Sequence, residues 1–345
     1  MSISFLDPAP VTRHLRAKAA SHLLVSAVCH LNVFDVLVNG PLSSTQLQER
    51  IQLKRRPAMV LFPSLCAMDL IKYNDQQNLE LTELGSLLSK SDPANLIGYV
   101  GLEKDDPGVL QMTEWLKHDG PRDISRGLSY VKDEYADSPM DEPEAARFFT
   151  MALAGRARYL SPIVARNITG RKGHFLDIAG GTGYYTYEWL LANPGSTATI
   201  LDRPEVLKVA REILMSFRKA EEVKNRVTFL PGDMLMDDLP AADIILAASL
   251  FHDWPEEVCE PLAKKFAAAV NPGGELWVHD AFLNDTADGP LAVTDYSAML
   301  FLATKGRAYS RKEYRKWLAD AGLFPSDKNI PTLMDYGLIS AMKKS

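Results

Sequence analysis

The segment that most constrains this chain is an apolar run that ends in an acid and a glycine-rich turn. Residues 174–183 read HFLDIAGGTG, with glycines at positions 180, 181 and 183. The apolar run predicts a buried strand at 174–179, and the glycines predict a tight turn before a helix that starts at Tyr184. Glycine lets the backbone bend sharply and lets a ligand approach without a Cβ in the way. Such a turn at the carboxyl end of a parallel strand is where open α/β sheets bind ligands.

The turn matches only part of the dinucleotide fingerprint, which is G-x-G-x-x-G followed by an acid about 20 residues on. Gly181 and Gly183 supply G-x-G, but Thr186 stands at the third glycine position. The acid is present, because Asp202 ends the next apolar run, TATILD. A nucleoside without a pyrophosphate, such as S-adenosylmethionine, explains both facts. A nicotinamide dehydrogenase is disfavoured by Thr186.

Composition bounds the class of protein. The chain has 345 residues, of which 46% are hydrophobic and 24% charged, which indicates about two globular domains with a substantial core. A net charge of −6 argues against a general nucleic-acid or anionic-membrane binder. No apolar run reaches 18 residues, so no membrane span is expected. The three cysteines are scattered and form no C-x-x-C pair, which predicts a reducing, cytoplasmic location.

The first third of the chain is predicted to be mainly helical. Residues 12–38 carry apolar side chains at helical spacing up to a breaker cluster at 39–41. A short helix follows at 45–50 and another at 57–70, and residues 71–82 alternate around a polar turn like a β-hairpin. This order of helices and hairpin is that of a winged helix.

A winged helix raises the hypothesis of a DNA-binding regulator. The helix that would read bases has the sequence PAMVLFPSLCAMDL and offers almost no side chain that hydrogen-bonds base edges. Just before it stand three basic residues, Lys54, Arg55 and Arg56. Charged residues at the start of a helix are usually exposed to solvent and need no nucleic-acid partner. An apolar helix requires burial in its own core or against a partner chain. We therefore favour a dimerisation role and expect no nucleic-acid partner.

From residue 160 the pattern changes to alternating strands and helices. Strands are predicted at 174–179, 197–201, 227–230, 243–248 and 275–279, and helices between them at about 184–192, 204–219 and 256–270. Gaps of this length indicate parallel strands joined by right-handed crossovers. The last segment, YGLISAMKK, is predicted to be a strand that closes the sheet in the antiparallel direction.

Polar residues follow these strands where their carboxyl ends meet. They are the glycine turn at 180–183, Asp202, the segments 232–234 and 252–254, and the pair 279–280. Asp202 can accept both ribose hydroxyls, Asp233 can accept an adenine amino group, and Met234 can pack on the ring face. Each also has a structural interpretation, since Asp202 and Asp253 suit helix caps, Asp233 suits a turn and Trp254 suits a core.

With these motifs in place, the sequence resembles the S-adenosylmethionine-dependent small-molecule O-methyltransferases over nearly its whole length. The motifs are DIAGGTG (177–183), LDRPEV (201–206), PGDML (231–235), FHDWPEE (251–257) and NPGGELWVHD (271–280). The H-D-W tripeptide at that distance after the glycine turn is the most specific of them. The resemblance implies an α/β fold with a Rossmann-like methyltransferase sheet, mostly parallel with an antiparallel last strand, behind a mainly helical, winged-helix-like N-terminal domain.

The resemblance also implies a domain plan. Residues 1–102 would form the winged-helix-like domain, through which the chain would form a homodimer. Residues 103–160 would form a helical connector that contributes to the substrate pocket. Residues 161–345 would form the S-adenosylmethionine-binding domain.

The same resemblance assigns roles to individual residues. His252 is the implied catalytic base and Asp280 its acidic partner. Cofactor binding is assigned to Asp177, Gly180, Gly181, Gly183, Asp202, Arg203, Gly232, Asp233 and Met234. Binding of a small-molecule acceptor is assigned to Phe148, Met151, Trp254, Tyr296, Met299 and Leu300, although aromatic and methionine stripes on helices are more often plain core.

Methyl transfer from a sulfonium is an in-line displacement, so the enzyme mainly aligns the nucleophile and the methyl group. A neutral hydroxyl is a weak nucleophile, and histidine can accept its proton near neutral pH. One departure from the family stands in the segment KGRAYS, where Ala308 replaces a second acid. This leaves open C- or N-methylation, or a member that binds the cofactor without methylating.

The pairs His252–Asp253 and His279–Asp280 contain histidine and carboxylate side chains, which are common metal ligands. Adjacent residues on a strand point in opposite directions, so the four side chains should not converge. We therefore predict no metal.

Overall fold

The computed structural model describes residues 6–120, 138–170 and 172–345. The described residues divide into two compact units. We call the first the helical unit, which contains residues 9–120 and 282–311. We call the second the sheet unit, which contains residues 6–8, 138–281 and 312–345. Part of the predicted connector, residues 121–137, lies outside the described residues.

The helical unit starts with short helices and a β-hairpin. Its elements in chain order are α1 (Ala9–Cys29), α2 (Val33–Leu37), α3 (Ser44–Arg50), α4 (Arg55–Ala67), β1 (Ile71–Tyr73), β2 (Leu79–Leu81), α5 (Glu83–Ser86), α6 (Ile97–Val100) and α7 (Pro107–His118). β1 and β2 pair in the antiparallel direction, which confirms the predicted hairpin.

Local sequence explains where the first helices begin and end. The predicted helical segment 12–38 is two helices, because Asn32 takes a left-handed conformation with φ of 53° between α1 and α2. Asparagine tolerates this conformation better than most residues, and it breaks the hydrogen-bond ladder of the helix. α3 begins with a capping box, in which the Ser43 hydroxyl accepts from the amide of Gln46 and the Gln46 side chain accepts from the amide of Ser43.

The helix considered for DNA recognition, α4, packs into the core of the helical unit. Its apolar side chains Val60, Leu61, Phe62 and Leu65 are all buried there. Burial of this face stabilises the unit through the hydrophobic effect. The side chains that a recognition helix would present to a groove are therefore core residues.

In the sheet unit, helices and strands alternate as predicted. The elements are α8 (Pro143–Asn167), β3 (His174–Ile178), α9 (Tyr184–Ala192), β4 (Thr197–Asp202), α10 (Pro204–Ser216), α11 (Ala220–Val223), β5 (Val227–Pro231), β6 (Ala242–Ala248), α12 (Glu256–Ala269) and β7 (Val270–Asp280). After α13 (Leu291–Ala303) in the helical unit come α14 (Arg311–Asp320), β8 (Phe324–Pro325), β9 (Ile330–Pro331) and β10 (Gly337–Met342).

The strand order of the large sheet is β5-β4-β3-β6-β7-β10-β8, and β9 also pairs with β10. The strands from β5 to β7 are parallel, and β10 runs antiparallel to β7, which confirms the predicted fold class. The chain builds outwards from β3 to β5 and then restarts at β6 on the other side of β3. This reversal opens a crevice at the carboxyl ends of β3 and β6, where open α/β sheets bind ligands.

α13 lies in the helical unit, although its sequence position is within the segment 161–345 that was predicted to form the cofactor-binding domain. It packs against α1 and α4, and its Ala298 and Phe301 belong to the same core as α4. Most of its side chains are buried, as expected for a helix that is apolar nearly all round and needs cover on several sides. No helix among the described residues is long and apolar enough to cross a membrane.

Candidate active site

A cavity of about 220 Å³ lies at the carboxyl ends of the parallel strands, within the sheet unit. Its wall is formed by the glycine turn after β3, by the ends of β4, β5 and β6, and by one face of α8. All nine predicted cofactor residues except Gly183 belong to this wall: Asp177, Gly180, Gly181, Asp202, Arg203, Gly232, Asp233 and Met234.

The glycine turn has a backbone conformation and a close packing that would be strained for residues with a side chain. Gly181 and Gly183 have φ of +54° and +75°, in the left-handed region that favours glycine. At Gly180 the obstacle is space, because a Cβ there would lie 2.8 Å from both Asp177 Cγ and Ile200 Cγ2. The turn therefore requires glycine for its backbone and for close packing on β3 and β4.

Asp202 ties the glycine turn to the end of β4. Its Oδ2 accepts a hydrogen bond of 2.8 Å from the Gly181 amide, and its Oδ1 accepts one of 2.7 Å from the Arg203 amide. Burial raises the pKa of Asp202 to about 6, although both amides act in the opposite direction. Each carboxylate oxygen has two lone pairs, so both can still accept from a ligand hydroxyl.

Arg203 connects the end of β4 to two other segments, one after β5 and one before α8. Its Nη1 donates to Asp233 Oδ2 at 2.9 Å, and its Nε and Nη2 donate side by side to the Asp141 carboxylate. Asp141 ends a short 3-10 helix before α8, and Asp233 follows β5. Bidentate pairs of this kind fix geometry as well as charge. Asp233 also accepts from the Leu235 amide at 2.9 Å, so its carboxylate is held in place.

Asp177 lies buried at the end of β3. Its Oδ2 accepts a 2.7 Å hydrogen bond from the Thr186 hydroxyl. Burial raises the pKa of Asp177 to about 7, and the nearby charge of Asp202 acts in the same direction against the hydrogen bonds from Thr186.

Three buried polar atoms of the cavity wall have no hydrogen-bond partner among the described residues: Asp177 Oδ1, Thr150 Oγ1 and Ser249 Oγ. Buried polar groups are nearly always paired, and leaving one unpaired costs about 1–3 kcal/mol. The cavity therefore has the polar groups to accept a ligand with its own hydrogen-bond donors.

His252 and Asp280 form a close buried pair at the ends of neighbouring strands. His252 lies in the short 3-10 helix Phe251–Asp253 after β6, and Asp280 is the last residue of β7. The His252 Nδ1 to Asp280 Oδ1 distance is 2.6 Å, and only 2% of the His252 side chain is exposed. On the other side of the ring, Nε2 lies 3.5 Å from Asp253 Oδ1. Asp253 and Trp254 are part of the cavity wall.

The charges around His252 set its protonation. Burial alone would lower the pKa of His252, but the negative charges of Asp280 and Asp253 and the hydrogen bond to Asp280 outweigh burial and raise it above the ordinary value. The pKa of Asp280 falls: burial would raise it, but the His252 charge and hydrogen bonds from His252, Tyr314 and the Ala281 amide outweigh burial. Because Asp280 is ionised, His252 Nδ1 carries the donated proton, and Nε2, on the side of Asp253, is the nitrogen that can accept one.

The second histidine, His279, is turned to other partners. Its Nδ1 lies 3.3 Å from the Tyr185 hydroxyl and its Nε2 lies 3.0 Å from the Thr332 hydroxyl. Burial lowers the pKa of His279 to about 3, so the ring is neutral. Within the described part of the chain, no group of three or more His, Cys, Asp or Glu side chains is placed to hold a metal ion.

The predicted acceptor residues are spread over several surfaces. On α8, Phe148 is 67% exposed and Met151 is also exposed, whereas Phe149 and Leu153 line the cavity. Consecutive helical residues point about 100° apart, so a shift of one position moves a side chain to another face. Trp254 lines the cavity as described.

The other three predicted acceptor residues lie on α13 of the helical unit. Tyr296 is buried beneath the Arg16 guanidinium, which lies 4.4 Å from its ring centre. Leu300 is buried, and Met299 is partly exposed.

Several residues that line the cavity were not predicted from the sequence. Thr150, Leu153, Arg156 and Ala157 line the cavity from α8, and Tyr185 lines it from the first turn of α9. The α8 residues have the spacing of a single helix face, so helical periodicity could have identified them once one member was known.

The whole chain is similar to proteins of known sequence and structure. A crystal structure of an O-methyltransferase family 2 protein from Planctomyces limnophilus, in complex with apigenin, has a TM-score of 0.87 and 36% sequence identity. The match covers 98% of this chain and 96% of that one. The family model described as an O-methyltransferase domain matches residues 163–324.

The chain belongs to the S-adenosylmethionine-dependent O-methyltransferases.

Two further similarities agree with this. The 3-hydroxy-5-methyl-1-naphthoate 3-O-methyltransferase of Streptomyces sahachiroi is 25% identical over 301 residues, which covers 86% of this chain and 84% of that one. Human N-acetylserotonin methyltransferase, solved in complex with S-adenosylmethionine, shares the fold with a TM-score of 0.53 and 21% identity over both full chains. Membership of the O-methyltransferase family confirms the family and the cofactor predicted from the sequence of this methyltransferase.

The cavity of the methyltransferase fits S-adenosylmethionine in chemistry. It combines a glycine turn that brings backbone close to a ligand, carboxylates at two strand ends, and polar atoms that lack partners within the described residues. The cofactor carries hydroxyl, amino and ammonium donors that can satisfy such acceptors.

Proposed function

We propose that this methyltransferase transfers a methyl group from S-adenosylmethionine to a phenolic hydroxyl of a small aromatic molecule, with His252 as general base. The observation that carries the proposal is the 2.6 Å contact between His252 Nδ1 and Asp280 Oδ1. Because Asp280 is ionised, this contact keeps the proton on Nδ1, so Nε2, which lies 3.5 Å from Asp253 Oδ1, is the nitrogen that can accept a proton. The next two residues along the chain line the cofactor cavity.

The adenosine part of the cofactor would lie along the ends of β3, β4 and β5. We assign the ribose hydroxyls to Asp202, whose oxygens each keep a lone pair after accepting the two backbone amides. We assign the adenine to Asp233 and Met234, which line the cavity beside Gly232. Arg203 would act by holding Asp233 in position rather than through its own charge.

The methionine part of the cofactor would lie against the part of the cavity wall that is formed by α8 and the end of β3. Asp177, Thr150 and Ser249 supply acceptors without partners among the described residues, which suit an ammonium group. Arg156, whose Nη1 donates to the Tyr336 hydroxyl at 2.6 Å, brings positive charge to the same wall and suits a carboxylate. When bound, S-adenosylmethionine supplies an electrophilic methyl group on its sulfonium.

Side chains of the protein would remove the proton from the phenol. A free phenol has a pKa of about 10, so little phenolate is present at neutral pH. His252 would accept the phenolic proton at Nε2, while Asp280 would hold the Nδ1 proton and stabilise the imidazolium that forms. A positioned general base contributes roughly 10²–10⁴-fold to such a step.

The choice of a flat aromatic acceptor is supported by the relatives and by the cavity wall. The Planctomyces limnophilus structure contains apigenin, and the Streptomyces sahachiroi enzyme is named for a hydroxynaphthoate. Phe149, Leu153 and Trp254 give the cavity of this chain an apolar side. Apolar and aromatic walls with a few polar groups are typical of sites for such molecules.

The test is a transfer assay with isotopically labelled S-adenosylmethionine. Purified protein is incubated with apigenin, 3-hydroxy-5-methyl-1-naphthoate or N-acetylserotonin, and products are identified by mass spectrometry and NMR. We expect a methyl ether on at least one of these phenols and its loss in His252→Asn. Methylation at carbon or nitrogen, no product with any of these acceptors, or full activity of His252→Asn would contradict the proposal.

We also propose that the chain forms a homodimer through its N-terminal helices, in the cytoplasm. Tyr99 and Leu102 are 77% and 76% exposed, and Leu15 on α1 and Leu110 on α7 are exposed as well. α1 packs directly against α6, α7 and the turn that carries Leu102. Large apolar side chains grouped on one surface are typical of an interface. No disulfide joins any two of the three cysteines, all of which lie in the described part of the chain, and this fits a reducing compartment.

A further inference from the structure

Tyr314 donates a hydrogen bond to Asp280 Oδ2, whereas His252 contacts the other carboxylate oxygen, Oδ1. Tyr314 lies on α14, is buried, and donates from its hydroxyl to Asp280 Oδ2 at 2.7 Å. Asp280 Oδ1 accepts from His252 Nδ1 at 2.6 Å and from the Ala281 amide at 2.8 Å. Each oxygen of this buried carboxylate therefore has a defined donor, and the plane of the carboxylate is fixed.

The ring of Tyr314 is itself fixed by aromatic neighbours. It packs edge-on against Phe251 with ring centres 5.5 Å apart, and against Trp317 with ring centres 5.3 Å apart. Phe251 directly precedes His252 in the same 3-10 helix. Edge-to-face aromatic pairs add stabilisation beyond their buried area. Tyr314 thus contacts both the residue before His252 and the carboxylate that binds His252.

We propose that Tyr314 is a positioning residue, which orients the Asp280 carboxylate so that His252 can act as general base; this rests on the function proposed above. The chain carries Ala308 where the family motif has an acid, so position 308 supplies no carboxylate to support the base. The phenol of Tyr314 provides a neutral second contact to Asp280 instead.

Such a role has an electrostatic consequence. A hydrogen bond to Asp280 Oδ2 draws negative charge away from Oδ1 and so weakens the hold of Asp280 on the His252 proton. Without the hydroxyl, the His252 imidazolium should be stabilised further, and its titration should move to higher pH. Among the described residues, the charges of Asp253 and Arg156 also act on His252: Asp253 raises its pKa and Arg156 lowers it.

The test compares Tyr314→Phe with Tyr187→Phe. Both keep a buried ring and remove one hydroxyl that donates to a single acceptor, because Tyr187 donates to the Ala210 carbonyl at 2.8 Å. His252 is titrated by NMR in the unloaded protein, with its signal assigned through His252→Asn, and the pH dependence of kcat/KM is measured alongside. In Tyr314→Phe we expect both titrations to move to higher pH and kcat to fall about tenfold with the acceptor KM unchanged, since a hydrogen bond to a charged group is lost. In Tyr187→Phe neither titration should move.

Two further arms keep the test decisive. Replacing Tyr314 with 3-fluorotyrosine strengthens the donor and preserves the fold, so the His252 titration should move to lower pH. In the Asp280→Asn background, Tyr314→Phe should have no further effect on His252, because the route through Asp280 is gone. A His252 titration that is unchanged by both substitutions of Tyr314, or one that Tyr187→Phe moves as far, would overturn the proposal. If the wild-type protein methylated no phenol, the proposed function would fail, while the NMR titrations would still decide the role of Tyr314.

Discussion

The Thr186 hydroxyl donates to Asp177 Oδ2 at 2.7 Å, and Thr186 occupies the position where a dinucleotide fingerprint has its third glycine. Thr186, which makes the dinucleotide motif incomplete, thus positions the Asp177 carboxylate at the glycine turn. Asp177 Oδ1, on the cavity wall, has no hydrogen-bond partner among the described residues.

We expect the affinity for S-adenosylmethionine to rise with pH near neutrality. The pKa of Asp177 is raised to about 7, chiefly by burial, so the side chain is neutral below that pH and negatively charged above it. A cationic ligand binds better to the charged form, so binding releases a proton. Calorimetric titrations between about pH 6 and 8, in buffers of different ionisation enthalpy, measure both effects.

Two variants sharpen this prediction. Asp177→Asn should bind the cofactor more weakly and with a flatter pH dependence. Thr186→Val removes a hydrogen bond that favours the carboxylate, so the rise in affinity should move to higher pH. If Asp177→Asn bound the cofactor with wild-type affinity, Asp177 would have no direct part in binding.

We predict that kcat/KM rises with pH and that the midpoint of the rise lies above the ordinary histidine value of about 6.5. His252 must be neutral to accept a proton, and Asp280 and Asp253 raise its pKa against the opposing effect of burial. Asp280→Asn should move the midpoint to lower pH and still reduce kcat about 10²-fold or more, because the imidazole loses both charge and orientation. A midpoint unmoved in Asp280→Asn would show that another group governs the profile.

Gly180→Ala should weaken cofactor binding and lower the free energy of unfolding by about 1–3 kcal/mol, as overpacking of a dense site does. The added methyl group would lie 2.8 Å from Asp177 Cγ and Ile200 Cγ2, so the turn must shift. Gly155→Ala is the matched control. Gly155 lies at an exposed position in the middle of α8, and no atom lies within 4 Å of the Cβ that the substitution would add. It should stabilise the protein by about 1 kcal/mol. Urea unfolding and calorimetry measure the two quantities, and equal behaviour of the variants would refute the argument.

Leu102→Glu should weaken the proposed dimer. A charge placed in an apolar interface loses its hydration without gaining a partner. Met215→Glu is the control, because Met215 is a similarly exposed apolar residue, 78% exposed, but lies in the sheet unit. Light scattering over a range of protein concentrations gives the mass of each variant. A wild-type protein that is monomeric at all concentrations would contradict the dimer.

Much of the sheet unit could be predicted because its signals are local. The strand at 174–178, the helix at 184–192 and the acids at the ends of β4 and β7 each follow from a few consecutive residues. The predicted helix 12–38 was wrong at Asn32, where one residue changed the path of the chain. Local sequence also could not show that Phe149, rather than the exposed Phe148, faces the cavity, because a single step of helical phase separates them.

The local sequence was enough to predict that an apolar strand runs into a glycine turn, that an adenosine-type ligand without pyrophosphate suits it, and that a histidine follows a later strand. Those features depend on backbone conformation and on the spacing of residues close in sequence. The pairing of Asp280 with His252 was predicted from the family resemblance, but the contact between Tyr314 and Asp280, 34 positions apart, became visible only in the folded chain. Such contacts depend on which strands become neighbours and on how α14 packs, and these follow from burial across the whole sheet rather than from any local pattern.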